Sequence, residues 1–387
     1  MRPEVQNLFL MKIKNNSKAI FFSTLFFCAG CNPPAHNPNE YESVFLQKDD
    51  KKSTFVTKSK PKKVILMIGD GMGLTHITAG SIAKKSPLAL EKFRHIGLVK
   101  THSTKLITDS AAGATAMATG QKTYNGAIAM DEKQNKLKTI VEMAEESDWA
   151  TGIVTSTHVT HATPACFFSH QAERRNVNEA VALEFLSTNI EVLMGGGWKY
   201  FNNRTDGRDL LAEAEKKGYF IADNMDKFED YIPKKTICLI SPELPERYKV
   251  RGDFLPKATQ KSIEILNKNS NFFVMIEGGQ IDWGGHGKNS EYIIEEMLDF
   301  DRAVAKALAF AEKDGNTLVV VTADHETGGY SINGGSLKTG EVEGAFTSDY
   351  HTATMVPIFA YGVGAESFSG VYDNTEIFFK LKYLMGL

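Results

Sequence analysis

Residues 63–73 read KVILMIGDGMG, an apolar run that ends in an aspartate between two glycines. A short run that is apolar throughout is typical of a strand buried on both faces of a parallel sheet. Six similar runs follow, at residues 151–155, 191–194, 236–240, 272–276, 317–322 and 355–361. The first stretch therefore predicts the opening strand of an α/β fold.

Segments with helical periodicity lie between these runs. The longest, residues 291–313, carries a broad apolar stripe, and the others span residues 137–146, 209–217 and 257–267. Alternating strands and helices predict a single large α/β domain with a central, mostly parallel β-sheet and helices on both faces. No linker divides residues 62–387, which we take as one domain.

The composition is that of a folded globular protein. The 387 residues are 42% hydrophobic and 24% charged, with a net charge of −3. This charge gives no broad electrostatic case for nucleic-acid binding. Only four cysteines are present, which excludes a scaffold built from disulfides. Of these, Cys166 and Cys238 lie in the domain and either pair or remain as buried thiols.

Residues 1–30 resemble an export signal. Lysines precede an apolar run at residues 19–30, which is too short to span a bilayer as a helix. The following CAGC resembles a bacterial lipobox and predicts a lipid anchor on Cys31. Met11 is a possible true start, and simple secretion or a core helix are the alternative interpretations. Residues 31–61 are polar and predict a flexible tether. We expect an exported protein, periplasmic or at the cell surface.

Polar side chains follow four of the predicted strands. They lie at Asp70, at residues 157–163, at residues 277–286 and at residues 324–325. Ligands bind at the carboxyl ends of the strands in such sheets, so these oxygen and imidazole groups predict a metal site there. An aspartate flanked by glycines can approach a metal closely, although the same pattern occurs in an ordinary tight turn.

The segment TDSAAGATA, from residue 108, predicts a helix of small residues that starts at Asp109 or Ser110. A hydroxyl at this position faces free N–H groups and the positive end of the helix, which suits a phosphate oxyanion. Both residues are also common N-caps, so the segment alone leaves the two interpretations open.

Two further segments carry candidate metal ligands. Asp282 and His286 are four residues apart and can share one helical face, with Glu277 at the preceding strand end. Asp324 and His325 follow a strand directly and suit a zinc ligand pair. A capping aspartate with a core histidine is the alternative for that pair.

His351, just before the last predicted strand, adds a third imidazole, although a lone histidine is usually structural or exposed. Together the segments offer four carboxylates, three imidazoles and one hydroxyl. This set could hold two or three divalent ions with open positions.

In five segments the sequence resembles the alkaline phosphatase family. They occur in the family's order over residues 62–365 and read VILMIGDGMG, TDSAAGATAMATGQKTYNGAI, HATPA, MIEGGQIDWGGH and TADHETGG. The resemblance implies hydrolysis of small phosphate monoesters through a phosphoserine intermediate, with two Zn²⁺ and one Mg²⁺ as cofactors. Members of the family are commonly homodimers.

The resemblance also implies a role for each matching position. Ser110 is the nucleophile, and Arg174 holds two phosphate oxygens, with its neighbour Arg175 as the alternative assignment. The metal ligands are Asp282, His286 and His351 for the first zinc, Asp70, Asp324 and His325 for the second, and Asp70, Thr163 and Glu277 for magnesium.

Three other positions are expected beside the metals and substrate, namely Asp109, His161 and Trp283. His161 stands where some members have aspartate and others histidine, and Trp283 where some have lysine and others histidine. Both positions touch the magnesium shell and phosphate waters, so their identity bears on the affinity for the third metal and on the rate.

Other enzymes on the same scaffold are the first alternative. Ser110 lacks the C/S-x-P-x-R context of sulfatases, and phosphodiesterase relatives usually have threonine as the nucleophile, so a monoesterase is favoured. A lipoprotein that binds phosphate or metal without catalysis is the alternative from another class. Residues 195–253 are rich in charge and could pack over the site as a surface insertion.

Overall fold

The computed structural model describes residues 59–229 and 231–387. The predicted export signal, the lipidation site at Cys31 and nearly all of the tether lie outside these residues. Within the described part of the chain, no helix combines the length and the hydrophobicity that a membrane span requires.

The strands of the described residues fall in three sheets. In chain order they are β1 (Lys63–Gly69), β2 (His95–Lys100), β3 (Ala150–His158), β4 (Val192–Gly196), β5 (Phe220–Ala222), β6 (Thr236–Leu239), β7 (Phe272–Gly278), β8 (Thr317–Thr322), β9 (Glu326–Thr327), β10 (Tyr330–Ser336), β11 (Glu341–Phe346), β12 (His351–Thr352), β13 (Val356–Gly362) and β14 (Gly370–Asp373).

Ten of these strands form the central sheet, in the order β14-β2-β13-β8-β1-β7-β3-β4-β6-β5. Every pair is parallel except the two made by β13. The mostly parallel sheet is thus confirmed, and all seven predicted strands are present. The remaining strands form the hairpin β10–β11 and the two-residue ladder β9–β12.

The helices of the described residues cover the sheet and the connections around it. They are α1 (Leu74–Lys84), α2 (Ser110–Thr119), α3 (Ile140–Glu146), α4 (Ala162–Ala165), α5 (Asn178–Phe185), α6 (Lys199–Asn202), α7 (Leu210–Lys216), α8 (Tyr248–Arg251), α9 (Phe254–Leu266), α10 (Ile281–His286), α11 (Ser290–Asp314) and α12 (Thr375–Met385), with short 3₁₀ helices at Ala89–Lys92, Met225–Phe228 and Ala365–Phe368.

The four predicted helices correspond to α3, α7, α9 and α11, with shifted ends. Helix α3 begins at Ile140 because Thr139 and Glu142 form a capping box there. Helix α9 begins at Phe254, before the predicted start, because Pro256 lies in its first turn, where a missing N–H breaks no helical bond.

Adjacent residues of β7 show how helices cover both faces of the sheet. Side chains of consecutive strand residues point to opposite faces. The ring of Phe272 packs against Phe310 of α11, with centroids 6.1 Å apart. The ring of Phe273 packs against Phe167, which follows α4, at 6.4 Å. The predicted placement of helices on both faces of the sheet is therefore confirmed.

One hydrophobic cluster of buried residues extends from Val64 to Met385. It includes residues from every strand that was predicted, so the single domain is confirmed. Cys166 and Cys238 are both buried and free, as the thiol alternative requires. Burial raises the pKa of each thiol to about 12, so both stay protonated.

The register of the central strands places their polar ends together. Ile68 of β1 pairs with Glu277 of β7 on one side and with Thr322 of β8 on the other. Asp70 and Asp324 each follow one of these strands by one or two residues. The carboxyl edge of the sheet thus collects carboxylates from three adjacent strands, as predicted.

Residues 195–253 extend the sheet instead of covering the site. They contribute β5 and β6, which lie at the edge farthest from β14. No described residue of this segment lines the cavity that contains the candidate nucleophile. The possibility that the segment packs over the site is therefore wrong for the described residues.

The same segment is joined to α11 by a buried ion-pair network. Arg251 Nη2 lies 2.6 Å from Glu296 Oε2 and 2.8 Å from Asp299 Oδ2. All three side chains are buried. Removing the guanidinium would leave Glu296 without a cationic partner among the described residues and Asp299 with Arg302 alone. The loss of a partner from a buried carboxylate is strongly destabilising.

We expect Arg251→Met to lower the free energy of unfolding by about 3–5 kcal/mol, as measured by urea denaturation, because it removes the cationic partner of the buried Glu296 carboxylate. The control is Arg208→Met, which breaks an exposed pair with Glu213 and should change the free energy far less. Equal effects of the two substitutions would contradict the role of the buried network.

Candidate active site

The candidate nucleophile lies at the start of a buried helix. Asp109 is the N-cap of α2, and its side chain accepts a hydrogen bond of 3.0 Å from the Ala112 N–H. Ser110 is the first residue of that helix and is 2% exposed. Its Oγ lies 3.3 Å from His325 Nε2. The predicted helix start is confirmed, and it places the hydroxyl beside a candidate metal ligand.

Small residues let α2 approach the metal-binding loop closely. A Cβ built on Gly113 would lie 3.0 Å from the carbonyl oxygen of Asp324. A larger residue at this position would push the helix away from the edge of the sheet. The run of alanines, threonines and glycine therefore sets how near Ser110 comes to the ligands.

Asp282, His286 and His351 form the first of three linked clusters, with ligand atoms within 4.8 Å of one another. His286 Nδ1 contacts the Asp349 carbonyl at 2.7 Å, and His351 Nδ1 contacts the Thr108 carbonyl at 2.8 Å. Since a carbonyl only accepts, both Nδ1 atoms carry hydrogen.

The two Nε2 atoms of this cluster then face each other. They lie 3.2 Å apart, with the Asp282 carboxylate oxygens 3.3 and 3.6 Å away. In a neutral imidazole with hydrogen on Nδ1, the Nε2 atom carries only a lone pair. Two such lone pairs repel each other at this distance unless a proton or a cation lies between them. The donor set therefore fits a zinc ion.

Asp70, Asp282 and His325 form the second cluster. His325 Nε2 lies 3.4 Å from Asp70 Oδ1 and 3.3 Å from Asp324 Oδ2. The other Asp324 oxygen accepts hydrogen bonds from the backbone of Gly71 and His325, at 3.1 and 3.0 Å. One oxygen of Asp324 orients the loop, while the second is directed at the cluster.

Thr327 connects the first two clusters. Its hydroxyl donates to Asp282 Oδ1 and lies 3.1 Å from His325 Nδ1. Because that hydroxyl has a single hydrogen, His325 Nδ1 must donate to the threonine oxygen. This chain of two hydrogen bonds leaves His325 Nε2 without hydrogen, and it faces Ser110 Oγ.

Asp70, His161 and Glu277 form the third cluster. Thr163 Oγ1 lies 3.4 Å from Asp70 Oδ2, and the hydroxyls of Thr155 and Thr157 both donate to Glu277 Oε2. Asp70, Glu277 and Thr163 offer oxygen atoms, which suit magnesium, whereas His161 offers a nitrogen atom.

Burial, together with neighbouring charges, shifts the pKa values of the carboxyl groups in the three clusters. Burial and neighbouring Asp324 raise the pKa of Asp70 well above its usual range. Burial raises the pKa of both Glu277 and Asp324 to about 7. Asp282 differs, because the hydrogen bond from His286 overcomes the effect of burial and lowers its pKa. The same bond raises the pKa of His286 to about 9.

Three buried carboxylate oxygens have no hydrogen-bond partner among the described residues, namely Asp70 Oδ1, Glu277 Oε1 and Asp324 Oδ2. Buried polar atoms in proteins are normally paired. Unpaired oxygens and raised pKa values together indicate that nearby positive charge would stabilise the ionised carboxylates. The residues present therefore fit divalent cations.

Arg174 lies beside the nucleophile. Its Nη1 donates to Asp109 Oδ2 at 3.2 Å, and its Nη2 contacts His161 Nε2 at 3.4 Å. Arg174 and Ser110 line one cavity of about 360 Å³, which we call the catalytic cavity, together with Trp283 and Tyr350. An anion in that cavity would meet both the guanidinium and the hydroxyl.

Among the described residues, the structure brings the candidate nucleophile, the candidate arginine and the candidate metal ligands together. Cys31 lies outside the described residues. Sequence analysis missed the hydroxyls that orient the ligands, those of Thr155 and Thr327, although both follow or end predicted strands. It also missed Tyr350, which stacks on His351 with centroids 4.4 Å apart. For Thr327 and Tyr350, the signal in the sequence would have been a polar side chain one or two residues from a proposed metal ligand.

Comparisons with known proteins show relatives of this chain. The family model for alkaline phosphatase matches residues 61–343. Alkaline phosphatase 3 of Bacillus subtilis is 33% identical, with 82% of this chain and 87% of that protein covered. The alkaline phosphatase of Escherichia coli K12 is 31% identical, with 84% and 86% covered.

Solved structures are also similar. The alkaline phosphatase from the Antarctic bacterium TAB5 is 40% identical, with a TM-score of 0.80, and the match covers 85% of this chain and 98% of that one. A variant of the TAB5 enzyme holds Mg in its M3 site. On its family-model match, its relatives and its fold, this chain belongs to the alkaline phosphatase family.

Proposed function

We propose that this chain hydrolyses small phosphate monoesters to an alcohol and inorganic phosphate through a phosphoserine intermediate on Ser110. The position of that hydroxyl supports the proposal most strongly. Ser110 Oγ lies at the N-terminus of a buried ten-residue helix, 3.3 Å from His325 Nε2, in the same cavity as Arg174. A nucleophile, an anion-binding guanidinium and candidate cation ligands are thus adjacent.

The proposal includes two Zn²⁺ ions and one Mg²⁺ ion. We assign Asp282, His286 and His351 to the first zinc, Asp70, Asp324 and His325 to the second, and Asp70, Thr163 and Glu277 to magnesium. When bound, such cations lower the pKa of a serine hydroxyl and neutralise negative charge on phosphate oxygens. His161 beside the third set is uncharged, because burial lowers its pKa well below the usual value. We therefore expect weaker magnesium binding than a carboxylate at that position would give.

The residues of this chain then act in a defined order. The positive end of α2 stabilises the alkoxide of Ser110, which attacks phosphorus. Ser110 gives its hydroxyl proton to solvent before this attack. The bond between phosphorus and the alcohol oxygen breaks as the bond from Ser110 Oγ to phosphorus forms, and the departing alkoxide takes a proton from water. Arg174 donates to two phosphate oxygens, and Asp109 holds its guanidinium in place. Water then cleaves the phosphoserine and returns the hydroxyl.

The proposal also includes export of the chain, with a lipid anchor on Cys31 that holds it at the membrane. This part depends on the sequence pattern of residues 1–31 alone, which lie outside the described residues. A homodimer remains an expectation from the family resemblance.

We expect Ser110→Ala to reduce p-nitrophenyl phosphate hydrolysis by about 10³-fold or more, because no oxygen remains to form the phosphoserine. Turnover is measured with Zn²⁺ and Mg²⁺ present, and metal content is checked in each variant. Ser369→Ala, an exposed serine beside β14, is the control and should keep full activity. Unchanged turnover in Ser110→Ala would overturn the intermediate. A preference for bis(p-nitrophenyl) phosphate would indicate a phosphodiesterase.

Cation binding should strengthen between about pH 6 and about pH 8. Burial raises the pKa of Glu277 and Asp324 to about 7, so below that pH both carboxyls hold protons that must leave before a cation binds. The raised pKa of His286 acts in the same direction. We expect Zn²⁺ and Mg²⁺ to raise the melting temperature of the metal-free protein more at the higher pH, measured by calorimetry. An equal or smaller rise there would contradict this account.

Thr327→Val is expected to weaken zinc retention by about 10–100-fold, because it removes the hydroxyl that orients both Asp282 and His325. Competition with a chelator measures the affinity directly. Thr347→Val is the matched control, since that exposed hydroxyl donates only to the Gly329 carbonyl. Equal affinities of the two variants would show that Thr327 does not position the ligands.

A further inference from the structure

A second cavity adjoins the catalytic cavity, and we call it the side cavity. Its volume is about 290 Å³, and Arg174 and Arg175 line both cavities. The rest of its wall includes His158, Thr160 and Asn178. A substrate whose phosphate lies beside Ser110 could therefore extend its alcohol part past the two arginines into the side cavity.

The lining of the side cavity carries positive charge without a carboxylate. Arg174 is paired with Asp109, but Arg175 forms no ion pair with any described residue. Glu173, which precedes the two arginines, accepts the Arg175 backbone N–H at 3.2 Å. The exposed Arg175 guanidinium thus remains available to an anion. The catalytic cavity differs, because Asp109 and Asp282 also line it.

The uncharged part of the wall is held by its own hydrogen bonds. The Thr160 hydroxyl donates to Asn178 Oδ1 at 3.1 Å and accepts from His158 Nδ1 at 2.9 Å. The ring of His158 is further fixed by edge contacts with His161 and Tyr200, at 5.3 and 5.4 Å between centroids. Because its carbonyl is used, the amide of Asn178 offers hydrogen-bond donors to a ligand.

We propose that the side cavity binds a second anionic group, a carboxylate or a phosphate, on the alcohol part of the substrate, and that Arg175 determines this preference. The inference rests on the proposed function, since it assumes that the phosphate to be cleaved lies beside Ser110. Charge-assisted hydrogen bonds from a guanidinium favour an anion over a neutral group of similar size.

The test compares phosphoglycolate, whose alcohol part carries a carboxylate, with 2-hydroxyethyl phosphate, which is neutral there. The ratio of their kcat/KM values is measured in the wild type and in Arg175→Gln, so the intrinsic reactivity of each ester cancels. We expect this ratio to fall about five- to tenfold in Arg175→Gln and to change little in Arg175→Lys. Arg208→Gln, on an exposed pair away from both cavities, is the control. Ethane-1,2-diyl bisphosphate replaces phosphoglycolate in a parallel series, which separates phosphate from carboxylate recognition.

Binding without turnover keeps the test independent of the proposed reaction. Calorimetry with metal-loaded Ser110→Ala should show tighter binding of phosphoglycolate than of 2-hydroxyethyl phosphate, and Asn178→Asp added to it should remove the difference by placing a carboxylate in the wall. In about 1 M salt, the difference in affinity between the two esters should disappear, because salt screens the charge of an exposed guanidinium. An unchanged ratio in Arg175→Gln, or equal binding of the two esters, would overturn the side cavity as a subsite. Failure of the wild type to hydrolyse 2-hydroxyethyl phosphate, with the binding difference intact, would instead count against the proposed function.

Discussion

Carboxylates buried together at one edge of the sheet are the constraint on which the site depends. Asp70, Glu277 and Asp324 come from three adjacent strands, and the register of those strands brings them to the same edge of the sheet within two residues of one another. Like charges in a buried place cannot all ionise without a counter-charge, and burial accordingly raises the pKa of each. Divalent cations would remove this conflict. The fold itself therefore favours cation binding at this edge of the sheet, independently of any substrate.

The backbone around this edge must also come very close. Gly71 has a positive φ of 72°, and a Cβ there would lie 2.6 Å from Thr327 Oγ1. Gly113 allows α2 to approach the Asp324 loop from the other side. The absence of a side chain at both glycines therefore allows Ser110 to lie close to the metal ligands. Side chains at either position would separate Ser110 from the clusters and leave the carboxylates without their partner groups.

Much of this could be predicted from the sequence, and the limits have physical reasons. Buried parallel strands are continuous apolar runs, so β1, β7 and β8 were evident, and the polar residues after them marked the site. Strand β2 was missed because its side chains are only partly buried and form no such run. The ladder of β9 and β12 was missed because two residues carry no periodicity. That ladder pairs His351 with Thr327, so the position of the last ligand depended on a contact that the sequence does not display.

Arg174 and Arg175 show why neighbouring identical residues need a structure to be told apart. Spacing along the chain favoured Arg174 for phosphate, and the structure gives that residue a fixed orientation through Asp109. Arg175 has no such partner among the described residues and faces the side cavity as well. A phosphate group is common to all phosphate monoesters, so the groups that hold it cannot distinguish one substrate from another. Any selectivity must come from contacts to the alcohol part, and an unpaired arginine at the border of both cavities is placed where such a contact can be made.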